Sequence, residues 1–152
     1  MSGESFTLDT NILVYSIDSS AGLRHALARE IVDQSVGRNC RLTLQAVSEF
    51  YASVTRKRVI ARREAAAQAE DFLLLFPTSA SSPMAVRNAL AISVAGRASY
   101  WDALLVASAA EAGCTAILTE DLKGGALLSG VRIINPFAGN RLGPEVSALF
   151  GR

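Results

Sequence analysis

The sequence predicts an α/β fold with a central, mostly parallel sheet. Short apolar or β-branched runs alternate along the chain with longer segments of helical periodicity, and connecting helices of this kind place successive strands parallel. The 152 residues suit one domain with one core, and half of them are hydrophobic. Neither an internal repeat nor a low-complexity linker divides the chain, so we expect 1–138 to form the domain and 139–152 its C-terminal tail.

The N-terminal third contains the first two predicted strands and the first long helix. The sequence SFTL at 5–8 is typical of a short buried strand. Segment 23–36 carries apolar residues at helical spacing, and Gly37 ends it. The sequence CRLT at 40–43 is consistent with a second short strand or an extended entry into the next helix. That helix, 44–58, collects four apolar side chains on one face.

The middle of the chain is predicted to be mostly helical. The alanine-rich segment 63–76 forms a helix that Pro77 stops. The sequence TSASS at 78–82 is a turn or a weak strand. Two more helices follow, 83–96 with a proline at its start and a glycine at its end, and 100–113, which also ends in a glycine.

The C-terminal part returns to strands. The β-branched runs 114–119 and 131–137 are separated by a glycine-rich turn, 123–130. The remaining residues, from about Ala138, are expected to form a tail with at most one short helical turn.

Composition excludes several kinds of chemistry. The formal net charge is only +1, so a nucleic-acid partner would need a local basic patch. His25 is the only histidine, which restricts a catalytic triad to that residue and nearly excludes a zinc site with several His or Cys ligands. Cys40 and Cys114 have no paired spacing and suit a reducing compartment. With no leader pattern and no apolar run that could span a bilayer, we expect a cytoplasmic protein without membrane contact.

Four acidic residues occupy positions where a binding site is expected. Asp9 and Asp121 follow two predicted strands, and the carboxyl ends of parallel strands meet at one edge of a sheet. Asp102 lies in the first turn of a helix. Glu49 lies beside Ala46 at the margin of the apolar face of its helix, where its side chain can reach past the edge of the core.

Three of these acids also have ordinary structural explanations. Asp9 could cap a helix that begins near position 11. Ser99 and Asp102 fit a capping box, and an acid in a first helical turn suits the helix dipole. Glu49 could be a solvated helix residue paired with Arg56 or with another base.

Asp121 and its neighbour Glu120 could likewise be exposed polar residues of a turn before Gly124.

The combination of acids favours a cation site, because several carboxylates at one sheet edge repel each other and raise one another's pKa. Mg²⁺ prefers oxygen ligands and removes that conflict, and it needs no histidine. The residues therefore predict metal-assisted chemistry on a phosphate ester.

Three segments resemble a known family. TLDTNILVYSID at 7–18, LQAVSEFYASV at 44–54 and SYWDALLVASAAEAGCTAILTEDL at 99–122 are similar to PIN-domain ribonucleases, most closely to the VapC-type toxins of bacterial toxin–antitoxin pairs. The resemblance extends from about Phe6 to Phe137 in the family's order and spacing. It implies a PIN-like α/β/α sandwich and RNA cleavage that depends on Mg²⁺ or Mn²⁺.

The resemblance also implies roles for particular residues. The catalytic acids would be Asp9, Glu49, Asp102 and Asp121. The metal ligands among them would be Asp9, Asp102 and Asp121. The supporting residues would be Thr10, Asn11, Thr119 and Glu120, although Glu120 departs from the family pattern and could share the role of its neighbour or replace it. The implied partners are an RNA substrate, a cognate antitoxin and a second copy of the chain.

A basic stretch provides the local patch that RNA would require. Arg56, Lys57 and Arg58 are consecutive, with Arg62 and Arg63 close behind. They could contact RNA, or they could be a solvated helix end where basic residues favour the dipole.

Two alternative functions remain open from the residues. A haloacid-dehalogenase-like phosphatase also starts with an acid after an apolar strand, but it would want an Asp where Asn11 stands. A non-enzymatic interaction domain would use the acids only as caps, which does not explain why all four are present. Tyr100 and Trp101, just before Asp102, could stack on a base, but we expect them to pack.

Overall fold

The computed structural model describes residues 3–122 and 127–152. The elements, in chain order, are β1 (Phe6–Leu8), α1 (Thr10–Tyr15), a 3-10 turn (Ser19–Ala21), α2 (Leu23–Ser35), β2 (Leu42–Thr43), α3 (Leu44–Arg56), α4 (Arg62–Leu75), β3 (Thr78–Ser79), α5 (Pro83–Val94), α6 (Tyr100–Glu111), β4 (Ala116–Leu118), β5 (Leu127–Leu128), β6 (Val131–Ile134), β7 (Phe137–Ala138), β8 (Arg141–Leu142) and α7 (Pro144–Leu149).

The main sheet confirms the predicted fold class. Its strand order is β1-β4-β6-β5, in which the first three strands are parallel and β5 is antiparallel to β6. The register pairs Phe6 with Ala116 and Leu8 with Leu118, so β1 and β4 end side by side. Asp9 and Thr119 therefore leave the sheet at the same edge, as the strand pattern predicted.

Helices fill the space around this sheet. Helix α6 packs against β2, β5 and β6, and α5 packs on α6. On the other flank α1 contacts α2 and α3, and α3 contacts α4. The α6 segment 103–109 is buried throughout, which explains why its sequence is apolar all round. None of the helices within 3–122 and 127–152 combines the length and the apolar character that crossing a membrane requires.

Two segments for which the sequence left the structure open, 40–43 and 78–82, each contain a short strand. Leu42 of the first pairs with Thr78 of the second in a separate two-stranded parallel sheet. The predicted glycine-rich turn falls partly on 123–126, which lie outside the described residues, while its last part contributes β5.

The C-terminal residues belong to the core. After β7, which ends at Ala138, the chain turns back into β8 and continues into α7, and Val146, Leu149 and Phe150 are buried. The Phe150 ring packs edge-on against Phe6 of the first strand, with 6.3 Å between ring centroids. The segment predicted as a tail thus closes one side of the same hydrophobic core, and the proposed division at 138 stays a prediction.

We predict that Phe150→Ala lowers the free energy of unfolding by about 3–5 kcal/mol, because a buried aromatic ring is lost and a cavity is left. Phe150 is 2% exposed, whereas Trp101 is 62% exposed, so Trp101→Ala is the matched control and should cost far less. Urea unfolding measures both. Equal losses in the two variants would show that the C-terminal helix does not stabilise the core.

Candidate active site

Asp9 lies at the point where β1 gives way to α1. Its own N–H donates to the Leu118 carbonyl at 2.9 Å, which continues the β1–β4 pairing by one residue. Its carboxylate accepts from the Thr10 N–H at 2.7 Å (Oδ1) and from the Thr119 hydroxyl at 2.6 Å (Oδ2). Asp9 is therefore the N-cap of α1, as the capping alternative predicted, and it is held from both sides in a single orientation.

Burial dominates the ionisation of Asp9. The side chain is only 5% exposed, and removal from water raises its pKa from 3.8 to about 6. The hydrogen bonds from Thr119 and Thr10 oppose that rise, and the charges of Asp102 and Asp121 add to it. A cap on the protein surface would not carry this cost, so the position of Asp9 calls for a function as well as a structural explanation.

All four predicted acids line one cavity of about 500 Å³. They come from different parts of the fold: Asp9 from the end of β1, Glu49 from α3, Asp102 from α6 and Asp121 from the turn after β4. Two of the predicted basic residues, Arg56 and Lys57, line the same cavity. The fold thus brings together acids that are up to 112 positions apart in the sequence, from Asp9 to Asp121.

Glu49 is held by polar neighbours. Its Oε2 accepts from the Thr10 hydroxyl at 3.2 Å, and its Oε1 accepts from the Gln45 amide at 2.7 Å. Gln45 lies four residues earlier on α3, a spacing that places both side chains on one face. Among the ion pairs of the described residues none joins Glu49 to Arg56, so the predicted surface pairing is not formed.

Asp102 and Asp121 are anchored through their backbones. The Asp102 N–H donates to the hydroxyl of the N-cap residue Ser99 at 3.2 Å, which supports the predicted cap. The Asp121 N–H donates to the Thr119 hydroxyl at 3.1 Å. Thr119 therefore links two of the acids, because the same hydroxyl donates to Asp9.

The match to known proteins agrees with this geometry. A family model described as the PIN domain matches residues 6–123, which is most of the chain and contains all four acids. The chain belongs to the PIN domain family. The resemblance seen in the three sequence segments is confirmed at this level. A comparison with curated protein sequences gives no significant match.

Three solved structures with a similar fold are VapC or VapBC proteins. VapC20 of Mycobacterium tuberculosis, described as a sarcin–ricin loop cleaving toxin, has a TM-score of 0.64 at 17% identity, covering 77% of this chain and 90% of that one. DNA-bound VapBC of Salmonella typhimurium gives 0.62 at 18% identity, with 86% and 96% covered. VapBC2 of Rickettsia felis, bound to a DNA fragment from its promoter, gives 0.60 at 14% identity, with 84% and 96% covered.

Glu120 has a different environment from its neighbour in this PIN domain. It accepts from the Tyr15 hydroxyl at 2.6 Å and from the Arg24 Nε at 2.5 Å. Burial alone would raise the pKa of Glu120, but the hydrogen bonds from Arg24 and Tyr15 outweigh it and lower the pKa. Phe137 completes the cluster, with the Arg24 guanidinium 5.2 Å from its ring centroid and the Tyr15 ring 5.9 Å away, edge-on.

Sequence reasoning missed these partners of Glu120. Arg24 is 96 positions away from Glu120, and no local pattern connects the two. Gln45 was also missed, although its spacing of four from Glu49 was a usable signal.

The remaining supporting residues differ in whether they contact the acids. Thr10 and Thr119 contact the acids directly, whereas the Asn11 amide is buried at the cavity with neither Nδ2 nor Oδ1 hydrogen-bonded within the described part of the chain.

The basic residues do not all face the acid-lined cavity. Arg58 has a left-handed backbone (φ 55°) in the turn between α3 and α4, and it lines another depression together with Arg62. The basic stretch thus separates into a cavity side and an outer side.

The donor set suits a hard divalent cation. Carboxylate oxygens are its preferred ligands, and a cation would offset the cost of the buried charge on Asp9. Within 3–122 and 127–152, however, no three His, Cys, Asp or Glu side chains come close enough to form a preformed metal cluster. The acids surround a shared volume rather than a common point.

We predict that Asp9→Asn stabilises the metal-free PIN domain at neutral pH. The folded pKa of Asp9 lies above the unfolded value, so its contribution to stability falls as pH rises between about pH 4 and pH 6. At about pH 7.5 in EDTA the variant should gain up to about 3 kcal/mol in free energy of unfolding, and near pH 4 the gain should vanish. The exposed Asp71→Asn is the matched control. A variant that is less stable at both pH values would contradict the prediction.

Proposed function

We propose that this PIN domain is a metal-dependent endoribonuclease and the toxin of a type II toxin–antitoxin pair. The observation that carries the proposal is the convergence of four carboxylates from four separate elements on one cavity, inside the region that matches the family. Two cations on the wall of the same cavity suit a polyanionic substrate.

In this proposal Asp9, Asp102 and Asp121 hold Mg²⁺ or Mn²⁺, which when bound lowers the pKa of water and neutralises charge on the phosphodiester. The chain's own groups do the positioning. Thr10 and Thr119 fix the Asp9 carboxylate, and Thr119 also fixes the turn that carries Asp121. Glu49 is oriented by Thr10 at Oε2, and the role proposed for it is to accept the proton of the attacking water.

Asp121 rather than Glu120 is proposed as the fourth acid. The side chain of Asp121 lines the cavity, whereas Glu120 is not among the residues that line it and its charge is paired with Arg24. Glu120 then acts as an anchor that attaches the turn after β4 to α1 and α2.

The proposed partners are an RNA substrate, a cognate antitoxin and a second copy of the chain in the bacterial cytoplasm. The VapBC names of two structural neighbours support the antitoxin, and the description of VapC20 as a loop-cleaving toxin supports a structured RNA as substrate. The two other functions are less well supported. The family match does not favour a haloacid-dehalogenase-like phosphatase, and capping accounts for Asp9 and Asp102 but not for Glu49.

We predict that the purified chain, freed of antitoxin, cuts structured RNA with Mg²⁺ or Mn²⁺ and stops in EDTA. Asp9→Asn, Asp102→Asn and Asp121→Asn should each lower the rate by about 100-fold or more, because each removes a carboxylate charge from the cavity. Glu120→Gln should lose far less. Cleavage of a labelled RNA measures the rates, and circular dichroism confirms folding.

Asp71→Asn serves as the control for these variants, since this exposed acid on α4 lies away from the cavity, and its rate should match the wild type. Wild-type cutting by Asp9→Asn would disprove the nuclease proposal. Growth arrest on induction, relieved by a small gene encoded next door, would distinguish a toxin from a housekeeping nuclease.

We also predict that the basic stretch is functionally divided. Arg56→Ala and Lys57→Ala should weaken RNA binding and each lower the slope of log affinity against log salt by about 1, because phosphate contacts release counterions. Arg58→Ala is the matched control, since Arg58 faces a different depression. Filter binding in EDTA over a range of salt concentrations measures this, and equal effects at all three positions would contradict it.

A further inference from the structure

The only tryptophan of the chain is placed on the surface beside the proposed active site. Trp101 directly precedes Asp102, and its side chain is 62% exposed. The expectation that it packs in the interior is wrong, because most of the side chain is exposed. Its described aromatic contact is an edge-on one with Tyr100, at 5.1 Å between centroids and 71° between planes. Trp101 thus presents a large aromatic surface to solvent, where a ligand can reach it.

The indole borders a depression that adjoins the acid-lined cavity. This depression, of about 430 Å³, is lined by Gln45, Ser48, Glu49 and Trp101. Glu49 lines both hollows, so they share a wall. If a phosphodiester of a polynucleotide lies among the acids, the neighbouring nucleotide therefore lies next to the indole.

Gln45 connects this depression to the acids. Its Nε2 donates to Glu49 Oε1 at 2.7 Å and to the Trp101 carbonyl at 2.9 Å. The bond to the Trp101 carbonyl joins α3 to the first turn of α6 and holds the backbone of the residue that carries the indole, while the bond to Glu49 lies within α3. The amide also has a definite orientation, since both of its contacts are acceptors.

One face of α3 runs past the indole, the acids and the basic residues in turn. Gln45, Glu49, Ser53 and Arg56 recur at spacings of three or four and therefore share a face. From Gln45 to Arg56 the helix rises about 16 Å, at about 1.5 Å per residue. The aromatic side chain lies near one end of this face, the acids in the middle and the cations at the other end.

We propose that Trp101 is the stacking platform for an unpaired nucleobase of the RNA, next to the phosphodiester held among the acids. Gln45 positions the platform, and Arg56 and Lys57 take phosphates on the far side. This inference rests on the proposed ribonuclease function. Base stacking needs an exposed aromatic face and a neighbouring path for the backbone, and this surface provides both. A base inside a duplex is already stacked, so the strand is single-stranded at this point.

The first test uses the fluorescence of Trp101, which reports on this site alone because the chain has no other tryptophan. In EDTA, a short single-stranded RNA that is a substrate should quench the emission. Placing an abasic nucleotide at one particular position should abolish the quenching while binding, followed by anisotropy of a labelled RNA, is largely kept. A perfectly paired duplex of the same sequence should not quench. Binding without quenching, or quenching by every abasic RNA, would overturn the proposal.

The second test uses cleavage of the same oligonucleotides. Trp101→Ala should lower kcat/KM by about 5- to 150-fold on the intact RNA, the range that base–aromatic stacking spans. Trp101→Phe should restore most of the rate. On the RNA that is abasic at the stacked position, wild type and Trp101→Ala should be equally slow, which a merely structural role would not produce. Val94→Ala, which changes an equally apolar and 89% exposed side chain on α5, should behave as wild type.

The outcomes separate this proposal from the one on which it rests. If the wild type cuts RNA and Trp101→Ala cuts it equally fast, only the stacking site is disproved. If the wild type cuts no RNA with Mg²⁺ or Mn²⁺, the ribonuclease function fails instead. If Trp101→Ala keeps its cleavage rate but no longer retains a co-expressed antitoxin, the indole is a protein contact and the stacking proposal is wrong.

Discussion

The hydrogen bonds that hold the Asp9 carboxylate are the contacts on which the rest of the site depends. The bond from Thr119 exists because β1 and β4 run parallel and end in register, which sets Thr119 beside Asp9, while the bond from the Thr10 N–H is local. The Asp9 carboxylate also caps α1 through the Thr10 N–H, and the Thr119 hydroxyl also accepts from the Asp121 N–H and so anchors the turn that carries Asp121. The chain accepts the cost of a nearly buried carboxylate here, and its pKa is raised accordingly.

Structural and functional explanations of the acids are compatible in this protein. Asp9 caps α1, and the Asp102 backbone completes a cap at α6, yet both side chains also line the acid cavity. The N-terminus of a helix presents free N–H groups and the positive end of the helix dipole, and both stabilise a carboxylate placed there. Capping therefore brings a carboxylate to the sheet edge and limits its motion there.

Several features of the sequence were sufficient for prediction. The alternation of apolar runs and helical segments predicted the parallel sheet, and residues just past two strands predicted the shared edge. The position of Glu49 at the margin of an apolar face predicted that it reaches the cavity, which it does. One expectation was wrong, since Trp101 is exposed rather than packed. In addition, no sequence pattern indicated that Val146, Leu149 and Phe150 are buried in the core.

The sequence alone determined the fold class, the four acids and the edge at which two of them meet, because these depend on periodicity and chain order. Only the tertiary structure decided which neighbour each acid has. Glu120 is engaged by Arg24 while Asp121 faces the cavity, and Arg56 and Arg58 face different depressions although only two positions separate them. Such choices depend on side-chain direction and on contacts between residues far apart in the chain, which no local pattern encodes.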